Sequence, residues 1–293
     1  RTVVDLDYRT DYWDDAELKQ EFQRYLIDIF GLDLSLWDKM GFWDRKYRPF
    51  TYFKDGRLIS SVNVYSMNMR VRGRDCRVAQ ISAVGTQPEY RLRGLNRQLT
   101  EKAMAWAADT HDFFFLFANV EAWPFYKKCG FRQVEEHKAV IEVTGRPPRG
   151  NVRKLDINQS DDRELIFRIA SGREPVSDLL GVTNTRLFMF WCLYFLKDGI
   201  YYLPDLDTLV LAERKDDVLS VCDVVATQIP SFAEFYPYLA APGDKSAEFL
   251  FMADKMQLGD RAATAPAEDN GTHLYGTFPF DGEEFILPLT CHA

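Results

Sequence analysis

Residues 76–120 constrain the fold of this chain most strongly. They open with the apolar run CRVAQISAVGT, pass through the turn PEYRLRG, continue with a helical pattern and end in DFFFLFANV. In the helical part, Leu95, Leu99, Ala103 and Trp106 share one face. The nearly continuous apolar run that follows is typical of a central strand covered on both sides. Strand, helix and strand in this order predict a parallel crossover, and therefore a mixed sheet of the α/β (α+β) class.

The turn before this helix has the composition of an anion site. Gly94 would let the backbone approach a ligand closely, while Arg91, Arg93 and Arg97 add positive charge. Free N–H groups at a helix start, together with the positive end of its dipole, attract phosphate oxygens. Residues 70–102 hold eight basic and three acidic side chains. The sequence therefore predicts a site for a small polyanion.

Composition and charge limit the classes of protein and partner. The 293 residues are 46% hydrophobic and 27% charged, which is typical of a soluble globular protein with room for two domains. Residues 1–150 carry 24 basic and 21 acidic side chains, whereas residues 151–293 carry 12 and 23. Because the net charge is −8, an extended basic face for nucleic acid is not expected. The acidic second half favours a cationic small partner.

The sequence also indicates the cellular compartment expected for this protein. The longest apolar run has ten residues, from Leu187 to Leu196, and a membrane span needs ~20, so a core or interface helix is expected there. No signal peptide is visible at the N-terminus. The five cysteines form no close pair, so neither a disulfide framework nor a metal site is predicted. A cytoplasmic protein without a membrane partner is the expectation.

The remaining patterns divide the chain into two domains. A strand near residues 3–8, an amphipathic helix over residues 15–30 and a hairpin at Asp55-Gly56 precede the crossover, and a strand over residues 133–143 would close the first sheet. The segment GRPPRG predicts a boundary, with a first domain over residues 1–145, a linker over residues 146–150 and a second domain over residues 151–293. In the second domain we expect an apolar helix over residues 175–196 and a closing hairpin of HLYGTFPF with EEFILPL.

Two motifs resemble those of the GCN5-related N-acetyltransferase (GNAT) family. PEYRLRGLN resembles the family's acetyl-CoA loop, R/Q-x-x-G-x-G/A, between its fourth strand and the following helix. NVEAWPFYKKCGF, residues 119–131, resembles the family segment N-x-x-A-x-x-F-Y-x-K-x-G-F and begins 25 residues after Gly94. The resemblance extends over residues 1–145 and implies a GNAT fold with acetyl-CoA as co-substrate and no metal.

The resemblance also implies roles for individual residues. Val84 and Thr86 would pair their backbone with the pantetheine arm, Asn119 would bond the arm from the next strand, and Tyr126 resembles the acid that protonates the departing thiolate. Asn96 stands where the family usually has Gly or Ala, so its side chain could crowd the phosphates or add a hydrogen bond. The backbone N–H groups that would hold the pyrophosphate belong to Arg91, Leu92, Arg93, Gly94, Leu95 and Asn96.

The sequence does not identify the general base. The family often has a Glu on the fourth strand, where this chain offers Gln80 and Ser82. Glu121, Asp28 and Asp33 are candidates, and ordinary surface charge explains each of them as well.

Residues 151–293 repeat the order of elements of the first domain. Residues 227–231 hold neither glycine nor arginine, so a degenerate GNAT-like domain without a pyrophosphate loop is predicted. This tandem architecture is similar to acetyltransferases of the enhanced-intracellular-survival type, but the chain is too short for their third, sterol-carrier-like domain. The expected activity is transfer of an acetyl group to an amine of a small-molecule or peptide acceptor, with the oligomeric state open. The alternatives are a non-catalytic module that binds acyl-CoA or an amine ligand, and an enzyme that uses longer acyl groups.

Overall fold

The computed structural model describes residues 5–293, so the first part of the strand predicted at residues 3–8 lies outside the described residues. The elements of the first half are β1 (Asp7–Thr10), α1 (Ala16–Phe30), α2 (Ser35–Lys39), β2 (Tyr47–Lys54), β3 (Arg57–Val71), β4 (Arg74–Thr86), α3 (Leu95–Ala107), β5 (Phe113–Phe117), α4 (Trp123–Lys128), β6 (Phe131–Gln133) and β7 (His137–Glu142). Those of the second half are β8 (Arg153–Lys154), α5 (Ser160–Ser171), β9 (Leu180–Val182), α6 (Thr185–Tyr194), β10 (Ile200–Leu203), β11 (Thr208–Lys215), β12 (Val218–Val225), α7 (Phe232–Leu239), β13 (Ser246–Phe249), β14 (Ala263–Pro266) and β15 (Thr272–Tyr275).

Local sequence signals set the bounds of several elements. The side chain of Asp15 accepts hydrogen bonds from the first turn of α1, and Gly31 ends this helix in the left-handed conformation, with φ of 65°. Asp55 and Gly56 both have positive φ and join β2 to β3, as a two-residue hairpin turn requires. The helix and the hairpin predicted in this region are confirmed.

The strands of residues 5–293 form two mixed sheets. The first has the order β1-β2-β3-β4-β5-β15-β6, with β9 paired to one end of β3. The second has the order β14-β7-β13-β12-β11-β10-β8. In the first sheet β4 and β5 run parallel and are connected through α3, so the predicted crossover is confirmed.

The second half repeats the plan of the first. β10, β11 and β12 are antiparallel neighbours, and α7 then leads to β13, which is parallel to β12. This is the order of β2, β3, β4, α3 and β5. The expected repetition of the first half by the second is therefore confirmed.

Three segments pair differently from the sequence-based expectation. The strand expected over residues 133–143 is split, and its second part, β7, lies in the other sheet between β13 and β14. The predicted closing hairpin is wrong, because β15 lies between β5 and β6 and EEFILPL forms no strand. The helix expected from residue 175 begins at Thr185, because Leu180–Val182 extend the edge of β3. A local pattern specifies a strand but not its partner, which explains these errors. The domain boundary at residues 146–150 stays a prediction, and strands on either side of it join the opposite sheet.

Two layers of side chains cover the first sheet. On one face, Leu99 and Ala103 of α3 pack against Val62 and Val64 of β3. On the other, α1 shares a hydrophobic core with α6, the helix of the long apolar run, and with β11. This run is therefore an interface helix, as expected. In the described residues no helix is long and apolar enough to cross a bilayer.

Candidate functional site

The candidate site lies where β4 and β5 separate. Their parallel pairing reaches Ile81 and Leu116. Just beyond, Ala83 has φ of 46° and the register between β3 and β4 shifts, which marks a bulge. The far edge of β5 is occupied by β15. The edge of β4 near Val84 therefore faces an opening between the strands.

A cavity of about 450 Å³ occupies this opening. Of the residues predicted from sequence, Val84, Asn119 and Tyr126 line it. Asn119 is exposed and precedes a short 3-10 helix without capping it through its side chain. Thr86 is buried instead, and its hydroxyl contacts Ser60 and Asn96. The fold thus brings three predicted residues to one cavity and places Thr86 behind it.

The arginine- and glycine-bearing turn forms the exposed start of α3. Leu92 and Gly94 have φ of 63° and 76°, and the Leu92 side chain is fully exposed. Arg91 Nε donates to the Thr86 carbonyl and Arg93 Nη2 to the Glu89 carbonyl, each at 3.1 Å, so both side chains fold back onto the turn. Within residues 5–293 no side chain caps α3, so the N–H groups of its first turn have no side-chain acceptor there. Such an open helix start suits a phosphate.

Asn96 points away from this turn and into the protein. Its Nδ2 donates to Ser60 Oγ at 3.0 Å, to the Ser61 carbonyl at 3.2 Å and to the Gly85 carbonyl at 2.9 Å. Its Oδ1 accepts from the Thr86 hydroxyl at 3.0 Å. The side chain therefore fastens α3 to β3 and β4 and leaves the exposed side of the turn clear.

The corresponding helix start in the second half is closed. Ser231 caps α7 by accepting from the Glu234 N–H, and the Glu234 carboxylate accepts from the Ser231 N–H. Ser231 and Phe232 are buried. A carboxylate and a hydroxyl thus take the place that an anion would need, which agrees with the degenerate character of this domain.

Tyr126 of α4 is buried beside the cavity. It is 6% exposed, and its ring packs against Phe125, Phe131 and His273. Burial, with a smaller contribution from Cys129, raises the pKa of the Tyr126 phenol above its ordinary value. The phenol is therefore a neutral proton donor across the physiological range.

The carboxylates considered as the base lie elsewhere. Asp28 pairs with Arg24, Asp33 accepts from the Ser35 N–H, and Glu121 is exposed. In the part of the chain that the structure describes, no Asp or Glu side chain lines the cavity. On β4, Gln80 donates to the Cys291 carbonyl at 2.7 Å and accepts from the Ala293 N–H at 2.8 Å. Gln80 thus holds a distant segment in place.

Much of the cavity wall was not identified from the sequence. Ser82 Oγ lines it and donates to the Ala293 carbonyl at 2.7 Å, and the backbone segment ending at Ala293 forms part of the wall. The remaining wall is apolar and aromatic and comes chiefly from α1, α2, α6 and β5. It includes Leu26, Phe30, Trp37, Phe117, Phe190 and Phe195. The long apolar run of α6 was the one available signal, and it indicated an interface without showing what the interface faces.

Several acidic side chains, most of them from the second half, line a different cavity, of about 530 Å³. Its lining includes Glu136, Glu213, Asp217 and Glu248. The His292 ring also lines this cavity. It stacks on Phe117, which lines the first cavity, with the ring centroids 3.5 Å apart, so it lies between the two cavities. Among residues 5–293 no group of three or more His, Cys, Asp or Glu is placed to hold a metal ion.

Comparison with known proteins agrees with this geometry. The family model of the acetyltransferase (GNAT) domain matches residues 22–134, which include both motifs. The chain contains a GNAT domain. No match is found among curated proteins.

Solved structures similar to the chain include two acetyltransferase-type proteins and Eis1. A probable N-acyltransferase of unknown function from Enterococcus faecalis is 16% identical, with a TM-score of 0.59, and covers 92% of this chain and 72% of that one. Eis1 from Mycobacterium abscessus is 18% identical, with a TM-score of 0.58, over 92% and 73%. A GCN5-related N-acetyltransferase from Kribbella flavida is 18% identical, with a TM-score of 0.52, over 92% and 71%. At these identities the likeness extends to the fold, and it spans both halves of the chain. The GNAT domain thus lies in the first of the two halves that share this order of strands and helix.

Proposed function

We propose that the protein is an acetyl-CoA-dependent N-acetyltransferase that transfers the acetyl group directly to an amine. The observation that carries this proposal is the meeting of Val84, Asn119 and Tyr126 at one cavity beside the open start of α3. The pyrophosphate would lie on the N–H groups of residues 91–96, and the pantetheine arm would follow the free edge of β4 toward the cavity. Tyr126 would then protonate the departing thiolate.

Cofactor binding is tested by isothermal titration with acetyl-CoA. The wild type should bind, and the double variant Arg91→Glu/Arg93→Glu should lose that binding, because it places two negative charges beside the pyrophosphate. The variant Lys154→Glu/Lys197→Glu changes the net charge equally at two exposed positions of the second half and should bind normally. Absence of binding to the wild type would contradict the proposal.

A non-catalytic acyl-CoA or amine-binding module is the alternative, and the absence of a carboxylate side chain from the described cavity wall favours it. Release of free thiol from acetyl-CoA in the presence of a panel of amines separates the two. An enzyme releases coenzyme A in an acceptor-dependent way, whereas a module binds it and releases none. The panel includes cationic acceptors such as polyamines and basic peptides, as the acidic second half suggests.

The apolar wall favours a bulky apolar group near the reacting atoms, on the acceptor or on the acyl chain. The Phe30, Phe190 and Phe195 rings would bury such a group. Two series distinguish the sources: acyl-CoA thioesters of increasing length with one acceptor, and amines of increasing apolar size with acetyl-CoA. A rise of kcat/KM along the first series assigns the wall to the acyl chain, and a rise along the second assigns it to the acceptor.

A further inference from the structure

A third cavity, of about 540 Å³, lies on the other side of β3 from the candidate active site. Tyr65 lines the active-site cavity and Ser66, the next residue of the strand, lines the third one, as the alternation of strand side chains requires. Its wall combines five cationic side chains with the rings of Trp43 and Trp106. The cationic residues are Arg45, Lys46, Arg48, Arg77 and Arg186.

The charge of this cavity is unusual for so acidic a protein. Its lining contains one carboxylate, Asp44, in a chain of net charge −8. Asp44 is 5% exposed and accepts a hydrogen bond from the buried Tyr65 hydroxyl at 2.5 Å and one from the Lys46 N–H at 3.0 Å. The carboxylate is therefore held by groups of the protein, and the cavity keeps a strong positive potential.

Most of the cationic groups are not neutralised by the protein. Arg45 pairs with Asp14, and Arg48 approaches Asp11 at 3.4 Å. Arg186 donates to two backbone carbonyls, those of Gly41 and Trp43. Within residues 5–293, neither Lys46 nor Arg77 forms an ion pair, and both are exposed. Two charges thus remain available at the cavity mouth.

Two residues of the wall carry buried N–H groups that have no acceptor within residues 5–293. Trp43 Nε1 and Arg48 Nε are both buried, and neither has a hydrogen-bond partner in the described part of the chain. The Arg48 guanidinium lies over the Trp106 ring, 4.6 Å from its centroid, which orders this cation against a flat surface. The unpaired cations of this wall lack the acceptor groups that an anion supplies.

This cavity is separate from the expected pyrophosphate site. Arg77 and Thr86 lie nine residues apart on β4, which corresponds to about 30 Å of strand. No residue of the turn before α3 lines the cavity. We infer that the cavity is a second anion site, which binds a small ligand carrying two or more negative charges of the phosphate type.

The test is isothermal titration with sodium pyrophosphate after the protein has been saturated with coenzyme A, which blocks the turn before α3. The wild type should show saturable binding of one pyrophosphate per chain. Lys46→Glu/Arg77→Glu should weaken it at least tenfold, while Lys154→Glu/Lys197→Glu, with the same change in net charge, should stay within twofold. The milder variant Lys46→Gln/Arg77→Gln, at the same exposed positions, should weaken it to an intermediate degree, and circular dichroism checks that each variant is folded.

Three results would overturn the inference. One is the absence of saturable heat from the wild type, and another is equal weakening by the two charge-reversed variants. The third comes from sedimentation with vesicles that contain phosphatidylserine, a second source of clustered phosphate. Vesicle binding by the wild type that Lys46→Glu/Arg77→Glu abolishes would assign the cavity to an anionic membrane surface instead. We expect no sedimentation, because the remainder of the acidic protein repels such a surface.

Discussion

Asn96 Nδ2 donates a hydrogen bond to the Gly85 carbonyl at 2.9 Å, so the first turn of α3 is fixed to the end of β4. The same side chain bonds to both neighbouring residues of β3, Ser60 and Ser61. The residue that departs from the family motif is therefore a structural clamp beside the open helix start. Because Asn96 bonds to the bulged end of β4, a shift of that strand end would also move the turn before α3.

Replacing this clamp should reduce both stability and cofactor binding. Asn96→Ala removes the side-chain hydrogen bonds to the Gly85 and Ser61 carbonyls and to the Ser60 and Thr86 hydroxyls, so we expect a loss of about 2 kcal/mol in the free energy of unfolding. Urea unfolding measures this, and titration with acetyl-CoA should show weaker binding. The control Arg97→Ala removes only an exposed pair with Glu101 and should change stability by less than about 0.5 kcal/mol. An unchanged free energy of unfolding in Asn96→Ala would show that the side chain is not a clamp.

Tyr126→Phe should lower turnover without weakening acetyl-CoA binding. If the phenol protonates the thiolate, kcat should fall by roughly 10²- to 10⁴-fold, while cofactor affinity by titration stays near the wild-type value. Because burial raises the pKa of Tyr126, its ionisation should cause no loss of rate below pH 10. Tyr8→Phe, at an exposed position outside the cavity, is the matched control. An unchanged kcat would remove Tyr126 from the mechanism.

The crossover and the motif residues were predictable because their signals are local. Gly94 and the arginines sit within one turn, and the helix that follows has a regular apolar face. The inward direction of Asn96 was not predictable, since its partners on β3 lie 35 and 36 residues away. Sequence spacing placed the residue at the turn without showing which side it faces.

Errors in the second half have a common physical cause. The pattern of HLY predicts a strand, but its partner β5 lies more than a hundred residues earlier, and local alternation cannot select it. Likewise, the apolar pattern before α6 predicts a helix, and a contact of Asn184 explains why none forms there. Its Oδ1 accepts from the Asn68 N–H at 3.1 Å, so β9 is docked along β3 and the helix starts after it. Strands of the second half, β9 and β15, pair with strands of the first, β3 and β5, and the local sequence pattern does not reveal this pairing.

A buried ion pair supports the segment that completes the cavity wall. Asp223 of β12 accepts two hydrogen bonds from Arg173, at 2.8 and 2.9 Å, and one from the Thr290 hydroxyl at 2.8 Å. The Arg173 and Asp223 side chains are only 3% and 2% exposed. Asp223→Ala leaves a buried guanidinium unpaired and should cost about 3–5 kcal/mol in urea unfolding.

The exposed pair of Arg168 with Asp207 provides the comparison for this prediction. Its side chains are 59% and 54% exposed, so Arg168→Ala should cost at most about 1 kcal/mol. Equal costs for Asp223→Ala and Arg168→Ala would show that burial adds nothing to the first pair.

Glu136 should make stability depend on pH below neutrality. It is 5% exposed, and its carboxylate accepts from the Thr272 hydroxyl and the Leu287 N–H, yet burial raises its pKa from 4.5 to about 7. Between these values the folded protein keeps a proton that the unfolded chain has released. The free energy of unfolding should therefore fall as pH rises from about 4.5 to 7, by roughly 3 kcal/mol in total. Urea unfolding at a series of pH values measures this slope.

Glu136→Gln isolates the contribution of this carboxyl group. The amide retains an oxygen acceptor for the Thr272 hydroxyl or the Leu287 N–H but does not titrate, so the variant should lose most of the slope and gain relative stability at pH 7. Glu135→Gln changes the exposed neighbouring carboxylate and should keep the wild-type slope. A Glu136→Gln profile that follows the wild type would mean that Glu136 titrates alike in the folded and unfolded chain, because only a difference in bound protons makes unfolding depend on pH.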